Sequence, residues 1–257
     1  MPHLRSLTDF QYSLDPVAPG NRASQGKPCL AAWFIAVSAG LFGGLVFLTL
    51  IPNWGGAQPT FWAAAVYLAG LHLIARGLRY NFPYGAFGLC NTITLTRFTL
   101  VAALVAATVA GVGPSWYVVA LATLALALDG ADGYAARRQE HVSAFGARFD
   151  MEVDAALALV LALNAAISAP IGWIVLSIGL PRYVFAVAGL ALPWLQGALP
   201  DSVVRKTVCV LQLSGLLLLQ APGLPDLAGP VIVVVIAVLL AGSFLKDILW
   251  LHRRKPA

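Results

Sequence analysis

The sequence predicts an all-α protein: a polytopic membrane helix bundle, with a six-helix core preceded by two further transmembrane helices. Three observations predict it. Of 257 residues, 60% are hydrophobic and only 11% charged, with a mean hydropathy of +0.82, well outside the range of soluble domains. Apolar runs of about bilayer length recur along the chain, separated by Pro, Gly or charged breaks. The basic residues fall almost wholly on one side of those runs.

Residues 1–28 are polar and rich in Pro, Gly and Ser. A signal peptide would carry its apolar segment nearer the start, so they read as a short cytoplasmic tail. The first span covers about Cys29 to Ile51, and its Gly40 and Gly44, four apart, offer a close-packing face suited to a homodimer. A second span runs from about Thr60 to Ala75 and is closed by Arg76 and Arg79. These two spans, residues 29–79, form a pair ahead of the core, residues 80–257. Residues 80–91 (YNFPYGAFGLCN) are too short to cross and mix aromatics with Gly and Pro, as an interfacial segment does.

The third span begins near Thr92. Asn91, Thr94 and Arg97 share one face near its polar end, where a functional role and capping with a snorkelling arginine account for them equally well. Gly113-Pro114 breaks the chain before the fourth span, Ser115 to Leu128. The fifth runs from Asp150 to about Ser168 and is turned by Ala169-Pro170. The sixth, about Ile171 to Trp194, carries Pro181-Arg182 near its middle. The seventh, about Val203 to Leu219, opens with Arg205-Lys206, and the eighth, about Gly229 to Trp250, is followed by His-Arg-Arg-Lys.

With the sides taken alternately, every Lys and Arg falls on one side except Arg182, which lies within a span. The opposite loops hold only Asp226. Cytoplasmic loops carry such an excess, so the sequence predicts an integral protein of the cytoplasmic (inner) membrane whose polar loops, including the one after the fourth span, face the cytoplasm. The pI near 9.3 therefore reflects topology and anionic membrane lipids rather than nucleic acid, for which no clustered basic face exists. Cys29, Cys90 and Cys209 have neither a pairing spacing nor a CxxC, so no disulfide frame or zinc site is indicated.

The chemistry is concentrated between the fourth and fifth spans, in DGADGYAARRQEHVSAFGARFDMEVD, residues 129–154. Asp129 and Asp132 are three apart, and Asp150 and Asp154 four apart, so each pair shares a helix face. Two membrane helices thus meet at their polar ends, each bringing two carboxylates. Gly133, Ala136 and Gly146 leave room beside the backbone, and Arg137 adds a fixed cation. Four carboxylates so close repel one another unless cations bind among them, and hard divalent ions with oxygen ligands, Mg²⁺ or Mn²⁺, answer that need. A solvated charged loop would explain the charge but neither the carboxylate phasing nor the small residues. Glu140 and Glu152 flank the stretch, and Glu152 falls on a different face from Asp150 and Asp154.

This stretch resembles the signature of the CDP-alcohol phosphotransferase (phosphatidyltransferase) family, membrane enzymes of phospholipid synthesis. The signature is filled by Asp129, Asp132-Gly133, Ala136-Arg137, Gly146, Asp150 and Asp154, with no position missing. The resemblance covers roughly residues 88–250 and implies that the six-helix core is catalytic. It implies transfer of a phosphatidyl group from a CDP-linked lipid such as CDP-diacylglycerol to an alcohol, with release of CMP. It makes Asp129, Asp132 and Asp150 metal ligands. Asp154 becomes the base that takes the acceptor's proton, also touching the second of two metal ions. It assigns Gly133, Ala136, Arg137 and Gly146, with Ser143 beside them, to the cytidine diphosphate.

The acceptor is read from charge. Arg182 is costly within a span, and Arg148, Arg205 and Lys206 flank helices on the same side as the aspartates. If the helices close around one cavity, these cations form a wall suited to an anionic acceptor, such as glycerol phosphate or inositol phosphate. Alternatively, Arg182 neutralises one of the aspartates and the others only enforce topology. The competing functional class is a membrane transporter with intramembrane carboxylates. Against it, no inverted repeat or discontinuous mid-membrane helix pair is visible, and the carboxylates sit at a membrane edge rather than the midplane.

Overall fold

The computed structural model describes residues 30–253 except 53, 55, 82–86, 140–143, 169–171, 198, 201 and 226. The side chains at 30, 80–81, 131–139, 144, 168, 193 and 196 also lie outside that description, as does the polar tail of residues 1–28. Among the described residues there is no strand. The helices are α1 (Leu30–Leu50), α2 (Gln58–Asn81), α3 (Gly88–Val109), α4 (Trp116–Gln139) and α5 (Ala144–Ser168). After them come α6 (Leu176–Gly179), α7 (Pro181–Ala191), α8 (Val203–Leu218) and α9 (Ala228–Arg253).

The axis of the bundle is α3. It packs against α1, α2, α4 and α5, and 67% of its apolar stretch is buried, against 11% in α1, 22% in α2 and 28% in α9. Its sequence explains the position. Ala102, Ala103, Ala106 and Ala107 are fully buried, and such small side chains let neighbouring backbones approach closely. On α5, Ala158, Ala162, Ala165 and Ala166 do the same. Since lipid tails are as apolar as the side chains, close packing and a few polar ties must hold the helices together. The turn from α3 into α4 needs two left-handed residues, supplied by Gly111 (φ +67°) and Gly113 (φ +66°).

Among the described residues four helices, α1, α2, α3 and α9, are long and apolar enough to cross a membrane on their own, and the bent pair Gly172–Gly179 and Pro181–Ala191 is a fifth if it is taken as one span. The other predicted spans exist as helices but are shaped differently. The 16 residues of α8 rise only about 24 Å, and the apolar part of α4 ends where its carboxylates begin. In α5 the acidic residues are built into the helix, which starts at Ala144 rather than Asp150. The start of α3 also comes early, at Gly88, so Gly88–Asn91 belong to the helix and not to an interfacial segment.

The sixth span is not one helix. Its two halves meet at 58°, because Pro181 has no N–H to continue the ladder. The break is repaired from outside, since the Gln212 side-chain amide of α8 donates to the Ile178 carbonyl at 2.5 Å. A second polar tie lies ten residues, or about 15 Å, along α5 from Asp154. The Asn164 amide donates to the Gly113 carbonyl (3.3 Å) and to Gln220 Oε1 (2.7 Å), while Gln220 donates to the Leu161 and Leu216 carbonyls. Two tyrosine hydroxyls anchor α1: Tyr67 donates to the Ser38 carbonyl at 3.1 Å, and Tyr117 to the Leu48 carbonyl at 2.7 Å.

Candidate active site

Three helices bring charge to one point. Asp129 lies where the apolar run of α4 stops, and Asp150 and Asp154, one turn apart, share a face of α5. Carboxylate oxygens of the three lie within 4.8 Å of one another. Arg97 of α3 sits among them with no exposed surface, while the aspartate side chains are 40%, 37% and 23% exposed in chain order. The cluster is therefore sealed on the Arg97 side and open on the other.

Arg97 uses its whole fork. Nη1 donates to Asp150 and pairs with Asp129 Oδ1 at 2.8 Å, and Nη2 donates to Asp154 Oδ1. Nε donates to the Ala125 carbonyl at 3.2 Å, one turn before Asp129 on α4. A planar guanidinium can hold several carboxylates in fixed relative positions, which a lysine cannot. Nothing here snorkels. Asn91 and Thr94 are buried on the same side of α3, but neither caps the helix: each bonds a carbonyl one turn back, at Phe87 and Cys90.

The sequence alone left Arg97 undecided between a functional role and capping with a snorkelling arginine. With α3 beginning at Gly88 rather than near Thr92, the residue lies nine positions in, about 14 Å from the helix start, far for an arginine to reach an interface.

The donor set decides which ion could bind. Three carboxylates and one guanidinium leave a net charge of −2, so a dication restores balance. All the ligands are hard oxygens, which suits Mg²⁺ or Mn²⁺ and disfavours soft metals.

Other predicted residues are placed as follows. Asp132, Gly133, Ala136 and Arg137 continue α4 beyond Asp129, and the side chains there lie outside the described residues, as does Ser143 altogether. Gly146 and Arg148 stand on α5 ahead of Asp150, Gly146 half-buried and Arg148 exposed. Arg182 begins α7 just after the break and pairs with Glu152, so the acid set aside in the sequence has a partner on the face of α5 away from Asp150 and Asp154. Arg205, in the first turn of α8, pairs with Asp247 of α9 at 3.3 Å and donates to the Pro200 carbonyl, and Lys206 beside it is exposed.

Residues 87–243, more than half of the chain, match the family model described as CDP-alcohol phosphatidyltransferase. Arg97, Asp129, Asp150 and Asp154 fall inside the match, and α1 and α2 precede it. No curated protein and no solved structure matches the chain.

Proposed function

Since the chain belongs to the CDP-alcohol phosphatidyltransferase family, whose members transfer phosphatidyl groups from CDP-alcohols, we propose that it acts on CDP-diacylglycerol and a phosphorylated polyol, releasing CMP. The observation that carries this reading is the convergence of three carboxylates on one buried guanidinium within the family-matched segment. In this reading Asp129, Asp132, Asp150 and Asp154 hold two Mg²⁺ or Mn²⁺ ions. When bound, these ions offset the pyrophosphate and stabilise the charge that develops on departing CMP.

The chain's own residues do the rest. Arg97 fixes the three carboxylates relative to one another, so no reorganisation is needed at the moment of reaction. Gly133, Ala136 and Gly146 let the cytidine diphosphate lie against the backbone, and Arg137 and Ser143 bind it. Asp154 takes the proton of the acceptor hydroxyl as the new P–O bond forms and the bond to CMP breaks. Arg97 engages Asp154 through Oδ1, which leaves Oδ2 for that proton. The diacylglycerol tails remain in the bilayer while the nucleotide stays at its cytoplasmic surface, in line with the one-sided basic residues.

Arg148, Arg182, Arg205 and Lys206 form the acceptor side. Arg182 and Arg205 stand in the first turns of α7 and α8, where helix dipoles add to their charge. An anionic acceptor would compete with Glu152 and Asp247 for them. On α1, Gly40 and Gly44 meet nothing within 4 Å of an added Cβ, which leaves that face open to a second copy of the chain.

An acceptor panel with CDP-diacylglycerol tests both halves of the reading, run on the native protein and on Asp154→Asn. Phosphorylated polyols should be preferred over choline or ethanolamine. The variant should lose transfer by at least about a hundredfold while still binding the CDP-lipid, because asparagine keeps the shape but takes no proton. Near-normal turnover in the variant removes Asp154 from its role; preference for a cationic alcohol removes the acceptor class.

A further inference from the structure

α2 lies outside the family-matched segment, yet it touches the supports of the site at two points. Gly70 and Gly77 are seven residues apart and so share one face of the helix. A Cβ at Gly70 would stand 2.2 Å from Cζ of Phe98, and one at Gly77 would stand 2.4 Å from Cε2 of Phe145. Each glycine is therefore a notch already filled by a ring.

The two rings have telling neighbours. Phe98 follows Arg97 on α3 and stacks on the buried Tyr67 of α2 at 5.8 Å between centroids. Phe145 opens α5 beside Gly146 and stacks at 6.1 Å on Phe149, which precedes Asp150. We propose that α2 is a positioning element of the transfer site: its two notches set Phe98 and Phe145, and through them the Arg97 guanidinium and the Gly146–Asp154 segment of α5. Lipid gives helices no hydrophobic drive to associate, so a ring seated in a notch selects one register of α2 against α3 and α5. Sites of this kind depend on first-contact groups whose own positions are locked by packing behind them.

The inference rests on the transferase reading. It is tested on full-length protein with Gly77→Val, Phe145→Ala and their combination, with Gly242→Val as a control because a Cβ there meets nothing within 4 Å and the residue has no part in the site or the α1 face. Two quantities are measured: Mn²⁺ affinity by direct titration and the KM for CDP-diacylglycerol. Each single change should weaken both by about tenfold, the double should restore them by refilling the notch, and the control should leave them unchanged. Wild-type Mn²⁺ affinity and KM in the folded single variants would overturn the proposal, as would a double no better than the worse single. If Gly77→Val fails to fold, Phe145→Ala alone decides, since it empties the notch without crowding it. Wild-type protein that neither binds Mn²⁺ nor releases CMP instead refutes the transferase reading, and the positioning role falls with it.

Discussion

A fully buried arginine bonded to three carboxylates is costly to disturb, because removing one partner leaves uncompensated charge. Arg97→Gln is therefore expected to lower unfolding stability in detergent by about 3 kcal/mol. Arg97→Lys keeps the charge but not the fork, so it should fold better yet lose CMP release by about a hundredfold. A lysine variant with native turnover would reduce Arg97 to a topological charge. Asp150 and Asp154 were legible in the sequence because helical spacing writes them as a pair four apart, and Asp129 because it ends an apolar run. Arg97 was not, because its partners lie 28, 53 and 57 residues away and nothing local marks the contact. Glu152 was set aside for the site, and its pairing with Arg182 joins two elements whose approach no spacing shows.

Helix types and most boundaries followed from apolar runs and from Gly and Pro breaks. What failed were ends fixed by tertiary contact. α5 extends back to Ala144 because its polar first turns pack against other helices, with Phe149 buried among them. Pro181 was visible, but not that a distant side chain would reach the broken end, where Gln212 donates to the Ile178 carbonyl. The Asn164–Gln220 tie between α5 and the end of α8 allows a test of such contacts. Asn164→Leu and Gln220→Leu should each destabilise the protein by about 1–3 kcal/mol, and the double variant by less than their sum. Additive losses in thermal unfolding would show that the two amides act independently.

For the whole molecule, composition was enough to identify a helical membrane protein, while the manner in which each helix spans the bilayer was not. Among the described residues four helices are long and apolar enough to cross on their own, and the remainder carry charge or breaks whose shelter by neighbouring helices hydropathy does not report. The one-sided basic residues predict orientation, and labelling can test it. In a background with Cys29, Cys90 and Cys209 replaced by Ser, His141→Cys should react with a membrane-impermeant thiol reagent only from the cytoplasm, and Asp226→Cys only from the opposite side. Labelling of both from the same side would reject the alternating topology. In the proposed function the Asp129–Asp150–Asp154 cluster, held by Arg97, works by binding divalent ions. It is tested most directly by CMP release from CDP-diacylglycerol as Mg²⁺ or Mn²⁺ is titrated into chelator-stripped purified protein. No release is expected in excess EDTA, with full recovery on metal addition and a requirement shifted to at least about tenfold higher metal in Asp129→Asn and Asp150→Asn. Undiminished CMP release in excess EDTA would contradict it.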